Sequence, residues 1–509
     1  MGETIDFRFL RGDGRAGLDN SRMFLKAGAL SLALLLASRL LGLARESAQA
    51  AAFGTSGVAD VAVLMLTLPD WVVGVLASGG LAYALLPAWA GQSAAQVRQT
   101  ERRVGWGLLA AGAALALLLV LLRRPAVAWL ASGMAAPLIP VGAAALVWSA
   151  LALPAALLAA LWTTRLQHER DFTGMYSANL IVNVTLIASI AAAAVLSPDD
   201  PMRWLGPGLL CAMLLRLVWL RSRTPGAVPQ ATTAPYQAGL PPATVWLWAA
   251  LSAGLPLALP FAARSMASQA GAGALATFNY AWKLVELPLV LAIQLVAALA
   301  LPAIARALAA ADGPATRTAV RTAFALAWAL ACAATAMLTI GAPAIAKLLF
   351  GWGRMEPQAL ARVAQWGALG AWGLLPQALI AVAVTVLAGR QRMKAAVLAY
   401  VVALAVLLSA GAFGWSQGAS LMLLLNVLFG GVALAVVAAL GSAARDWLPW
   451  RAMAISLAGL LLLAGVATQG FPQAAWGAAA GLAAAAVAGA LVMAATWWGS
   501  ADLRAALAR

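Results

Sequence analysis

The chain is 509 residues long, 64% hydrophobic and only 10% charged, with a mean hydropathy of +0.90 and a formal net charge of +16. That balance excludes an ordinary soluble domain, and the basic residues fall in small clusters between apolar runs, a distribution that argues against nucleic acid as a partner. Cys211 and Cys332 lie inside apolar segments and His168 is the only histidine, so no disulfide framework, metal centre or other cofactor is expected.

Residues 1–22 carry Arg8, Arg11, Arg15 and Arg22 before the first apolar run. They read as a cytoplasmic tail rather than as a cleavable signal. At about 20 residues per crossing, the remainder has room for roughly fourteen helices. These are expected at 24–44, 58–90, 104–122, 136–162, 174–196, 205–220, 245–266, 273–305, 319–348, 360–388, 395–414, 418–441, 450–468 and 475–498. The fold class is therefore all-α, a polytopic membrane protein.

The connections alternate in charge. One set holds Arg98, Arg102 and Arg103; Arg165 and Arg170; Arg221 and Arg223; Arg306, Arg317 and Arg321; Arg390, Arg392 and Lys394; Arg445 and Arg451. The other set holds Arg123, Arg124, Arg203, Lys347 and Arg354 with Asp199, Asp200 and Glu356. The positive-inside rule puts the richer set and both termini in the cytoplasm. Arginines there can attract anionic lipid headgroups, although topology alone accounts for them.

The stretch from Ser38 to Trp89 concentrates polar residues in spanning segments. It holds Arg39, Arg45 and Asp60, and Pro69, Gly74, Gly79, Gly80 and Pro87 make its second segment prone to bending. Charges at membrane depth face a bundle interior or a wet cavity, and interrupted helices are tolerated where they line one. The pattern points to a pathway for an anion. Thr224 to Pro242, rich in Pro, Ala and Thr and without charge, reads as a linker.

A repeat supports division there. Shifted by 219 residues, Ala44-Arg45 aligns with Ala263-Arg264, Gly54 with Gly273, Asp60 with Asn279, and Leu68-Pro69 with Leu287-Pro288. The expected organisation is a tail at 1–22, a six-helix lobe at 23–223, a linker at 224–243, a second six-helix lobe at 244–444, and two C-terminal helices with a short tail at 445–509. In transporters built from repeated halves the substrate lies between them. Arg39, Arg45, Asp60, Arg264, Lys283 and Glu286 are the candidate lining residues.

Each has a plainer reading. Arg45 and Arg264 can anchor helix ends at the interface, and Asp60 can cap the second helix. Lys283 and Glu286, three residues apart, can form a self-neutralising pair. No pair of carboxylates on a plausible active-site loop, GxSxG element or phosphate-binding glycine loop is present, so no enzyme is expected.

The motif SRLLGLARE at 38–46, AFG at 52–54, Asp60, LPD at 68–70, the small-residue run at 77–80 and LLP at 85–87 resembles the MurJ/MviN lipid II flippase family of the MOP exporter superfamily. FNYAWKLVELP at 278–288, ALPAIAR at 300–306, LFGWGRM at 349–355 and LAGRQRMKAA at 387–396 extend the likeness. The resemblance implies two lobes that alternate access and carry an undecaprenyl-pyrophosphate-linked glycan, with two extra C-terminal helices forming a groove for its tail. It also implies that Arg39, Arg45 and Asp60 match family charges, that Lys283 replaces an arginine and that Glu286 keeps an acid. Departures are Asp70 for an asparagine, Val72, Val73 and Gly74 where a basic residue is common, Trp282 for an acid, and Ser78 for another. Arg264 is an added cation. The expected partners are the lipid-linked glycan, membrane lipids and candidate cell-wall synthesis proteins, with a monomer plausible. A flippase for another lipid-linked oligosaccharide and a non-transporting scaffold of the same fold are the alternatives.

Overall fold

The computed structural model describes residues 14–75, 79–90, 92–197, 200–224, 240–390, 392–468 and 477–507. The first thirteen residues of the expected tail, most of the linker (225–239), Ser78 and Asp199 lie outside them. The described residues are almost entirely helical and contain no strand.

The first half of the chain forms α1 (Gly14–Phe53), α2 (Gly57–Val75), α3 (Leu81–Ala90), α4 (Ala94–Leu121), α5 (Arg123–Leu130), α6 (Ile139–His168), α7 (Phe172–Leu196) and α8 (Met202–Arg223). The second forms α9 (Ala243–Ala267), α10 (Ala274–Pro288), α11 (Gln294–Ala309), α12 (Gly313–Phe350), α13 (Pro357–Ala371), α14 (Leu374–Gly389), α15 (Lys394–Ala412) and α16 (Gly418–Ala438). A short α17 (Ala443–Trp447) leads to α18 (Trp450–Thr468), α19 (Ala478–Gly499) and α20 (Ala501–Leu507).

Among the described residues, twelve of the continuous helical stretches are long and apolar enough to span a membrane, and α13 with α14, bent by 48° at their junction, makes a thirteenth. α1 is outside that count, yet its 40 residues extend about 60 Å at 1.5 Å per residue. It begins at Gly14, so 14–22, expected as tail, is helical. No proline or other strong breaker separates that stretch from the apolar run, and a formed helix propagates more easily than a new one nucleates.

Side-chain capping sets several boundaries. Ser93 and Gln96 form a reciprocal capping box at the start of α4, and Asp171 and Asp312 cap α7 and α12. The expected single helix over 273–305 is interrupted after Pro288, where Leu289–Ile293 forms a π-helical turn between α10 and α11. Proline lacks the N–H that would continue the ladder, and the wider π turn changes the direction in which the faces of α11 point.

In the first half α6 packs against α2, α4 and α8, and α1 against α7. In the second half the 38-residue α12 is the central post, touching α11, α13, α14, α18 and α19. α18 and α19 thus lie against the second half. Small residues permit close approach: a Cβ on Gly341 of α12 would overlap Ala485 of α19. The halves meet through α2 and α9, α2 and α10, and α3 and α9, the geometry that places the polar residues of α1, α2, α9 and α10 side by side.

Candidate functional site

α1 and α9 each end at a turn containing a glycine in the left-handed region, Gly54 at φ +61° and Gly273 at φ +80°. These are the repeat-related glycines. A β-carbon at either would collide with backbone, that of Arg354 or of Thr55, besides straining the turn. The turns return the chain into α2 and α10, so Arg45, Glu46 and Asp70 of the first half face Arg264, Asn279, Lys283 and Glu286 of the second.

A continuous chain of hydrogen bonds joins most of them. Arg264 Nη1 donates to Asn279 Oδ1 at 2.7 Å, and Asn279 Nδ2 donates to Glu46 Oε2 at 3.0 Å. The other oxygen of Glu46 accepts from Arg45 Nη2 at 2.9 Å, and Arg45 Nη1 donates to Asp70 Oδ2 at 2.9 Å. Beside it, Lys283 Nζ donates to Glu286 at 2.7 Å, and the charge of Glu46 also acts on Lys283. Glu46 is buried by its neighbours, and a lone buried carboxylate is strongly disfavoured. Both its oxygens are used. Lys283, Glu286 and Asp70 are the more accessible members, with side chains 26%, 34% and 39% exposed.

Three cations, Arg45, Arg264 and Lys283, stand against three carboxylates, Glu46, Asp70 and Glu286. One further cation belongs with them. Arg216 of α8 is buried, its Nε has no hydrogen-bond partner, and Asp70 is the carboxylate whose charge acts on it. Among the described residues none forms an ion pair with Arg216. The cluster therefore carries one more positive charge than negative. Aromatic rings close one flank: Trp71 stacks on Phe261 at 5.5 Å, and Arg264 lies over that ring at 5.1 Å.

Of the six residues nominated by sequence, Arg45, Arg264, Lys283 and Glu286 come together. Asp60 does not line this cluster. Asp60 is 4% exposed, and its carboxylate accepts from the backbone N–H groups of Gly273 at 2.7 Å and Ala276 at 2.8 Å. It therefore caps α10, which has no side-chain cap of its own, rather than α2 or an arginine. The cause is position: the free N–H groups and positive dipole end of α10 lie against the first turn of α2. Arg39 also stands apart. Six residues back along α1, it is about 9 Å away along the axis and exposed, with its charge acting on Tyr176 of α7.

Glu46, Asp70, Asn279 and Arg216 were not nominated as site residues. Asn279 was visible as the repeat partner of Asp60, and Arg216 as a charge within an apolar segment. Glu46 and Asp70 end the motifs SRLLGLARE and LPD, and nothing in those motifs alone marked them as lining residues. Among the described residues no group of histidines, cysteines or carboxylates is arranged to hold a metal ion.

Two related helical halves with a polar cluster buried between them define a membrane transporter of the alternating-access type. The sequence profile of the family described as lipid II flippase MurJ matches residues 49–503, and this chain belongs to that family. The match starts just beyond Arg39, Arg45 and Glu46. A solved structure of a lipid II flippase MurJ in an inward-closed conformation superposes with a TM-score of 0.77 at 14% identity, covering 92% of this chain and 99% of that one. An inward-facing multidrug resistance MATE family transporter of the MOP superfamily gives 0.59 at 16% identity, over 80% and 94%. A MOP superfamily transporter from Pyrococcus furiosus gives 0.52 at 15%, over 86% and 96%. No curated protein sequence matches. At these identities the structural likenesses speak to the fold.

Proposed function

We propose that this protein moves lipid II, an undecaprenyl-pyrophosphate-linked glycan, across the bacterial inner membrane by alternating access. The observation that carries the reading is the buried interlobe cluster with one more cation than carboxylate. Guanidinium groups pair with phosphate oxygens bidentately, and more strongly away from water. The pyrophosphate would take Arg45 and Lys283 from Asp70 and Glu286, while Arg216 supplies the charge that the resident acids leave unmatched. Arg39, exposed nearer the arginine-rich end, would meet the headgroup first.

The arginine-rich ends of the helices and both termini face the cytoplasm in this reading. The inside-negative potential then favours outward passage of an anionic headgroup by ~2.3 kcal/mol per charge per 100 mV. Both faces of the site come from one chain, so a monomer suffices. No covalent step is involved. Cell-wall synthesis proteins that make or consume the lipid are the natural partners.

Asp60 holds the opposite ends of the halves together through α10. Gln269 Nε2 donates to Ser132 Oγ at 3.0 Å and the Gly133 N–H to Ser268 Oγ at 3.2 Å, on the same side. Opening toward the outside must break these contacts, and partner exchange at Glu46 and Asp70 offers the alternative set.

The test is depletion-rescue. The chain is expressed in a bacterium whose own lipid II flippase is switched off, beside Arg45→Ala and Arg216→Gln versions at matched membrane levels. Growth with the native chain and its loss with Arg45→Ala supports the reading. Failure of a well-inserted native chain overturns lipid II as the substrate and favours another lipid-linked oligosaccharide, for which the acid at Asp70 and the missing second-helix cation would be the adaptation.

A further inference from the structure

Away from the interlobe cluster, a cleft of about 400 Å³ opens between α4, α6 and α8 at the arginine-rich end of the first half. Arg98, Arg102 and Arg221 line its rim, Trp106 and Trp162 its walls, and Leu109 its floor. We propose that this cleft binds an anionic phospholipid of the adjoining leaflet, its phosphate on the arginines and its first acyl carbons along Trp106 and Leu109.

The chemistry follows from the order of the lining. Arg98 and Arg102, four residues apart, share one face of α4, and Arg221 reaches the same cleft from the end of α8. From Arg98 to Leu109 is about 16 Å along the helix, so a charged rim gives way to an aromatic band and then to leucine over the depth of a headgroup and the first acyl carbons. That gradient matches an amphiphile lying along the membrane normal. A soluble phosphate compound would leave the apolar half unfilled. Trp106 is 63% exposed, as befits a ring at the lipid interface.

The cleft also faces the right medium. Only 11% of the apolar window of α4 is buried in the protein, the smallest share among the spanning helices, so its outer surface borders lipid. Basic pockets between helices at this level recognise anionic headgroups.

One acid, Glu101, lies among the arginines, and it is answered from behind. Arg165 of α6 is buried, faces Glu101 at 3.8 Å and Glu169 at 2.6 Å, and lies over the Trp89 ring at 5.8 Å. Glu101 shares Arg165 with Glu169, and the charge of Arg221 also acts on it, so one acid stands against three rim arginines. Arg102 and Arg221 pair with no carboxylate among the described residues, and the rim stays positive. An arginine cluster that served topology alone would need neither the cavity nor the tryptophans.

The experiment uses the full-length chain in detergent, exposed to phosphatidylglycerol or phosphatidylcholine of the same acyl chains, with retained lipid counted by intact-complex mass spectrometry. The native chain should keep phosphatidylglycerol in preference. Arg102→Gln with Arg221→Gln should lower retention roughly 30-fold, about fivefold for each surface arginine. Both side chains are exposed, so the fold is retained, which monodisperse elution verifies. The charge-matched control, Arg445→Gln with Arg451→Gln, removes two exposed arginines elsewhere on the chain and should keep native retention. Equal retention by native and Arg102/Arg221 proteins overturns the proposal, as does an equal loss in the control or equal binding of phosphatidylcholine. Displacement by millimolar inorganic phosphate would show a free-phosphate site and overturn it too. Rescue of lipid II transport is a separate readout, so this proposal and the proposed function fail independently.

Discussion

The turn that joins α1 to α2 and the turn that joins α9 to α10 are copies in sequence register, yet their charges are partnered differently. In the second half Arg264 and Asn279 bond each other at 2.7 Å. The equivalent pair, Arg45 and Asp60, does not meet. Arg45 turns to Glu46 and Asp70, while Asp60 crosses to the backbone of α10. Asn279 crosses back to Glu46. Residues 60 and 279, related by the repeat, are thus both used to tie one half to the other. A repeated scaffold supplies matched positions, and the acid and the amide there make different bonds: Asp60 only across to the other half, Asn279 both within its half and across.

Removing the shared arginine should do most damage. Arg45→Ala removes the one cation that is hydrogen-bonded to both Glu46 and Asp70, and breaking a buried pair from one side costs on the order of 3 kcal/mol. Transport should vanish and thermal stability should fall. Adding Asp70→Asn to that variant should recover stability but not transport, a split that thermal melting and the rescue assay read separately. If Arg45 only anchors a helix end, both should survive its loss.

Asp60→Ala should come next. It orphans two N–H groups at the start of α10, at about 1–3 kcal/mol each, and only in the state where the halves touch there. The opened population should rise tenfold or more. Thr277 is 2% exposed beside this clasp, so Thr277→Cys, with Cys211 and Cys332 replaced by alanine, should label with an impermeant maleimide roughly tenfold faster when Asp60 is absent. Unchanged labelling would sink the clasp.

The contact of Gly79, which lies just before α3, with α9 offers a steric counterpart. A Cβ on Gly79 would come within 2.6 Å of the Ala253 Cβ. Gly79→Val should keep the seam ajar and slow transport several-fold, with little effect on folding, since overpacking costs about 1–3 kcal/mol. Native-like transport would show that the seam has room to give.

Much of this was legible in the sequence, for physical reasons that also set the limit. Spanning helices announce themselves because every residue facing lipid must be apolar, and the register of the repeat predicted which turns are equivalent. Arg45, Arg264, Lys283 and Glu286 stood out as charges where charges are costly. Asp60 misled because a carboxylate at membrane depth suggests an arginine, whereas a helix N-terminus from 213 residues away serves it as well. Arg216 was overlooked because a charge within an apolar segment does not say which helix faces it. The interruption after Pro288 follows from the ring, and the π turn there packs against α12 and α14, which the local sequence does not announce.

The smallest effect expected is the most discriminating. Asp70 is accessible and sits between Arg45, at 2.9 Å, and Arg216, on which its charge acts. Neutralising it by Asp70→Asn removes a competitor of the headgroup without removing a cation. The amide still accepts a hydrogen bond from Arg45, so the cluster keeps its shape. Lipid II should bind tighter by a factor of about two to five, the worth of a partly solvated ion pair. Turnover should fall, because tighter holding of the loaded state does not help its release. Arg216→Gln should do the reverse to binding, weakening it by a similar factor. If Asp70 merely positions Arg45, its neutralisation will weaken binding instead, and the sign of that one change separates a site whose acids compete with the substrate from one whose acids only hold the arginines in place.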